Sequence, residues 1–91
     1  EMEKRIRRLK RHLKKNKGFD ILVTHAPAYG IGDGADLCHQ GFKCFLSLMD
    51  EYSPKYMFHG HMHLNYGRIS RIQQYKNTTI INCYDHYIID I

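Results

Sequence analysis

The chain reads as an α/β domain, a mixed sheet with flanking helices. Three observations predict it. The first residues carry apolar side chains at helical spacing. Two short apolar runs, 19–24 and 55–59, stand on either side of a glycine-rich loop and a second helical pattern. Segments rich in strand formers, separated by turn residues, occupy the remainder.

Met2, Ile6, Leu9 and Leu13 recur at steps of four, three and four, and every position around them is polar or basic. A helix over residues 1–17 with one narrow apolar face follows from that spacing. Asn16, Lys17 and Gly18 supply its stop, with lysines in the last turn where the helix dipole favours cations. No Ser, Thr, Asp or Asn caps its start, so the helix is expected to begin in mid-pattern, as in a chain cut from something longer.

Phe19 to Thr24 is an apolar run expected to form a strand buried on both faces, as in a parallel sheet. His25 lands at its carboxyl end and Pro27 prevents its continuation. Residues 26–41 read as a loop holding Gly30, Gly32, Gly34 and Gly41 with Asp33 and Asp36. Phe42, Phe45, Leu46 and Met49 then predict a second helix, ended by Ser53-Pro54. Lys55 to His59 is a second apolar strand, with Gly60-His61-Met62-His63 at its carboxyl end. Strand, helix and strand at this spacing predict a right-handed crossover with parallel strands. Residues 68–75, 78–83 and 87–91 predict three further strands, with turns at Lys76-Asn77 and Tyr84-Asp85-His86.

Ninety-one residues make one small domain or part of a larger one. A hydrophobic fraction of 43% with 25% charged residues excludes wholesale disorder. No apolar run approaches the roughly 20 residues that span a bilayer, so no membrane partner is expected. No signal-peptide pattern opens the chain. Cys38, Cys44 and Cys83 are an odd count without C-x-x-C spacing, which reads as reduced thiols in a cytoplasmic setting. Charge is uneven: residues 1–17 hold nine Lys/Arg against two Glu, and the rest hold five against seven Asp/Glu. The first segment thus carries the whole positive excess, either as a solvated helix face or as an element that attracts nucleic acid or an anionic membrane surface.

Two independent strands deliver histidine at their carboxyl ends, where open α/β sheets bind ligands. His25 and the His61/His63 pair are therefore expected on one sheet edge. In an extended chain His61 and His63 would stand roughly 6.5–7 Å apart on one side. Paired catalytic metals lie about 3.5–4 Å apart, so two imidazoles at that spacing can each take a different ion. Asp33, Asp36 and His39 are weaker candidates, near substrate if anywhere in the site. His59 alternates away from Phe58 and reads as structural, His12 and His86 as exposed, and Cys44 and Cys83 as core. The tyrosines of the strand segments read as packing residues.

These residues also resemble a known family. Val23-Thr24-His25-Ala26-Pro27 and Gly60-His61-Met62-His63 resemble the fourth and last motifs of the calcineurin-like metallophosphoesterases. The loop from Gly32-Asp33-Gly34 to His39-Gln40-Gly41-Phe42, and the strand Ile80-Ile81-Asn82, are similar to one prokaryotic branch of that family. The resemblance covers nearly everything from Phe19 onward. It implies hydrolysis of a phosphate monoester or diester at a two-metal site, with His25 and His61 on one ion and His63 on the other. It also implies the C-terminal half of an αββα sandwich. Imidazole ligands favour Mn, Fe or Zn over Mg.

The family's upstream Asp-x-His motif, bridging aspartate and Asn-His pair have no counterpart here. The general acid and metal bridge would then lie outside this chain. Three imidazoles are too few for two ions needing about four ligands each, so the expected partners are a missing N-terminal half or a second copy, besides the phosphate-ester substrate. A non-catalytic single-metal module, built from the three histidines with Asp33 or Asp36, is the alternative.

Overall fold

The structure, a computed structural model, describes residues 1–16, 18–31, 41–60, 71–84 and 87–89. Its elements are α1 (Met2–Asn16), β1 (Ile21–Val23), α2 (Lys43–Tyr52), β2 (Tyr56–His59), β3 (Ile72–Tyr75) and β4 (Thr78–Asn82). They form a small α/β domain with a mixed four-stranded sheet of order β1-β2-β4-β3. β1 pairs parallel to β2, β2 parallel to β4, and β3 antiparallel to β4. The predicted crossover between parallel strands is thereby realised through α2.

The apolar stripe places α1. Ile6 and Leu13 are buried and Met2 is half-buried, while Leu9, at the margin of the stripe, is exposed. After the helix, Gly18 adopts φ +90 and donates its N–H to the Leu13 carbonyl at 3.2 Å. That left-handed stop is the kind a glycine makes without Cβ strain. α2 buries Phe45, Leu48 and Met49, and closes with Ser53 in the left-handed region, its N–H on the Met49 carbonyl at 2.9 Å. Ser53-Pro54 does end the helix. Phe42 departs from expectation: it stands at the N-cap, 37% exposed, and Leu48 takes a core position instead. The hairpin turns at Lys76, φ 51, as the Lys76-Asn77 pair predicts.

Side-chain alternation gives the sheet two different faces. Leu22, Met57 and Ile80, aligned by register, form one core with Ile6 and Leu13 of α1 and with Phe45, Leu48 and Met49 of α2. Both helices thus lie on this side. Thr78, on the same face, donates its hydroxyl to the Pro54 carbonyl at 2.7 Å and anchors the hairpin beneath the α2–β2 connection. The second face carries Ile21, Val23, Tyr56, Phe58, Ile72 and Ile81. Among the described residues no helix packs on it.

Two expectations require correction. β1 is not buried on both faces: Leu22 is buried, but Val23 is 72% exposed and Ile21 40% exposed. The cause is topology, since β1 is an edge strand with both helices on one side of the sheet. The strand expected at 87–91 does not form over residues 87–89, where Ile88 is exposed and Tyr87 instead lies 4.7 Å from the Arg71 guanidinium. Among the described residues no strand lies beside this run, and an apolar run without one does not become extended sheet. Residues 68–70 and 85–86 of the expected strands and turns lie outside the described residues.

Candidate metal centre

Parallel pairing brings the carboxyl ends of β1, β2 and β4 to one edge. The register Val23↔Phe58 continues past the strands: Thr24 donates its N–H to the Phe58 carbonyl and Gly60 donates to the His25 carbonyl, each at 2.9 Å. His25 is therefore one interstrand hydrogen bond from the residue that precedes His61. On the other side, His59 aligns with Asn82, and Cys83 donates its N–H to the His59 carbonyl at 2.8 Å. Gly60 thus leaves the central strand with the end of β1 on one side and the end of β4 on the other.

Local chemistry turns the chain away after His25. The Thr24 hydroxyl donates to the Ala26 carbonyl at 2.6 Å, a side-chain turn of the kind Thr makes readily. Pro27 is buried and Ala28 forms an isolated parallel bridge with Phe42. Phe42 donates to the Pro27 carbonyl at 3.0 Å, and Tyr29 to the Phe42 carbonyl at 3.3 Å. The two ends of the loop bearing Asp33, Asp36 and His39 are thus fastened together just beyond His25. Lys43 reaches back over the Tyr29 ring at 4.8 Å.

His59 is buried at 3% exposure with Nδ1 3.0 Å from the Gly60 carbonyl. Burial pushes its pKa below the usual imidazole value, opposed by that hydrogen bond. A neutral His59 donating from Nδ1 braces the peptide leading into His61. Asn82 is also buried, and its Oδ1 accepts the Tyr84 N–H at 2.9 Å. The Asn82 backbone is tied to Arg71 in both directions: Asn82 N–H to the Arg71 carbonyl at 2.9 Å, and the Arg71 guanidinium to the Asn82 carbonyl at 3.3 Å.

Of the three predicted ligands, His25 is described, and its side chain is exposed at the strand ends. His61 and His63 lie outside the described residues, as do Asp33, Asp36 and His39. Among the described residues no three of His, Cys, Asp and Glu converge on one ion position. His12 is exposed as expected, while His86 and Cys38 lie outside. Cys44 and Cys83 are free, half-buried thiols, and burial pushes the Cys44 thiol up, away from nucleophilic use. What the described residues provide is one exposed histidine, His25, whose carbonyl accepts from the Gly60 N–H at the end of the neighbouring strand. The bracing of this edge by His59 and by the pinned loop ends goes beyond what the sequence pattern foretells. The signal available was a polar residue, His59, on the core parity of an otherwise apolar strand.

Fold and edge together define the class, a small α/β domain with polar strand ends carrying histidine. Compared with family models, curated proteins and solved structures, the chain matches none. Among the described residues no helix is long and apolar enough to cross a membrane.

Proposed function

We propose that this chain is the histidine-bearing half of a metal-dependent phosphoesterase, with His25, His61 and His63 as ligands of two divalent ions. The observation that supports it is the 2.9 Å hydrogen bond from Gly60 N–H to the His25 carbonyl. It brings His25 beside Gly60, the first residue of the segment that resembles the family's last motif. Neighbouring strands lie about 4.8 Å apart, so imidazoles from adjacent strand ends are within reach of a common ion.

Bound divalent ions would supply the charge that lowers the pKa of a water and offsets that on the phosphoryl oxygens. The chain's own residues hold and orient. His25, His61 and His63 act as neutral ligands, so their protonation at low pH releases metal. His59, through the Gly60 carbonyl, limits movement of the peptide that carries His61. Three neutral imidazoles leave most of the charge of two dications uncompensated, so carboxylates must come from Asp33 or Asp36 or from a second polypeptide. The apolar second face, with Ile21, Val23, Tyr56 and Phe58 on its β1–β2 side, supports the half-sandwich reading. It is the side on which a further layer would lie.

The test is Mn-dependent hydrolysis of an aryl phosphodiester, with bound metal measured in parallel for the wild type and for His25→Ala and His61→Ala. Loss of bound Mn in both variants, with circular dichroism unchanged, supports the ligand assignment even where the chain alone is inactive. Unaltered metal binding in both variants overturns it.

A further inference from the structure

From the outer face of α1 we infer a docking surface for the sugar–phosphate backbone of a nucleic acid. It stands independently of the phosphoesterase reading, because it requires neither histidine nor metal.

Once the stripe of Met2, Ile6 and Leu13 is turned to the core, the rest of the helix, Glu3 and Leu9 apart, is a mainly cationic surface. Lys4, Arg5, Arg7, Arg8, Arg11 and Lys14 are all exposed. At 100° per residue they spread over the arc opposite the buried stripe, with Lys4, Arg8 and Arg11 in its centre. From Lys4 to Lys14 the row is about 15 Å long. Lys10 is different: half-buried, it is held by Glu51 at 2.7 Å and by the Ser47 hydroxyl at 2.7 Å. Among the described residues none of the six exposed cations has a carboxylate partner. So many like charges on one helix repel one another, and neighbouring cations three and four residues apart are destabilising. A polyanion relieves that repulsion.

Charge alone would also suit an anionic membrane, but the packing argues against it. A helix that binds a bilayer inserts its apolar face, and here Ile6 and Leu13 are already buried against the rest of the domain. Leu9, 38% exposed, is the one large apolar side chain that α1 leaves exposed among the described residues, too little to insert. Arginine, with its planar fork of donors, accounts for four of the six exposed cations, and it is the residue suited to paired phosphate oxygens. A rigid row of guanidinium and ammonium groups without an apolar wedge fits a phosphate backbone read through charge.

The experiment is fluorescence anisotropy of a labelled oligouridylate of about 20 nucleotides, titrated with the chain in EDTA across a salt series. Six neutralised phosphates predict a slope of log K against log salt of about −4 on a single strand. The combined variant Lys4→Gln, Arg8→Gln, Arg11→Gln removes three and should bring the slope nearer zero by about 2. Its helix content, followed by circular dichroism, should be unchanged, since all three side chains are exposed. Lys76→Gln, at the far hairpin turn, is the control and should leave the slope as it was. No binding at about 50 mM salt, or an unchanged slope in the triple variant, overturns the inference. So does tighter binding to phosphatidylserine vesicles than to the oligonucleotide.

Discussion

A Cβ placed on Gly41 would stand 2.3 Å from both the carbonyl carbon and the carbonyl oxygen of Ala28. Both contacts are backbone, so no side chain can swing aside. Gly41→Ala must therefore break the Ala28–Phe42 bridge that fastens the loop ends beyond His25. Overpacking of this kind costs about 1–3 kcal/mol. Urea unfolding of Gly41→Ala should show that loss, while Gly30→Ala, where no atom lies within 4 Å, should lose less despite its φ of +79.

Thr78 should resist replacement by its isostere. Its buried hydroxyl meets the Pro54 carbonyl at 2.7 Å, and valine would leave that acceptor without its partner. Thr78→Val should cost about 1–3 kcal/mol. Thr79→Val, whose hydroxyl bonds an exposed Gln74 side chain at 3.0 Å, should cost far less. Chemical denaturation of the two variants, compared at one temperature, decides the point.

Leu48 lies fully buried where α2 meets the sheet. Leu48→Ala should lose about 2–5 kcal/mol, from lost transfer energy and the cavity left behind. In a domain this small that is a large fraction of total stability, so the variant should unfold at a markedly lower temperature.

Asp50 joins α2 to the hairpin, accepting from Lys76 Nζ at 2.7 Å and from the Tyr75 hydroxyl at 2.8 Å. The Lys76 ammonium, then the Tyr75 hydroxyl, holds its carboxyl below the ordinary value of 3.8. On lowering the pH the unfolded chain takes up this proton first. The contribution is therefore complete above the unfolded value and disappears as pH falls through the folded one. Asp50→Asn should be slightly less stable than wild type at pH 7 and equal to it in strong acid. High salt should also shrink the difference, because the pair is exposed. A difference that persists in acid would mean that the hydrogen bonds of Asp50, not its charge, matter.

Features governed by neighbours in the chain are legible in the amino-acid order alone. The α1 stripe, the stop at Gly18, the end of α2 at Ser53-Pro54 and the Lys76 turn depend on spacing or on residues with restricted backbones. The convergence of strand ends is legible as well, because a crossover of this length makes parallel strands. Gly41 is not. In sequence it is one of several loop glycines, and only the approach of Ala28 singles it out.

The sequence by itself determined the two helices and the segments that hold β1, β2, β3 and β4, and that His25 and Gly60 follow the ends of two of those strands. It did so because hydrophobic period and chain-breaking residues act over a few positions. Tertiary structure decided that β1 lies at the sheet edge with Val23 uncovered, that residues 87–89 find no strand partner among the described residues, and that His59 is buried beside Asn82. Each of these depends on which strand lies next to which. That order is set by long-range packing of both helices on one face, and no local pattern encodes it.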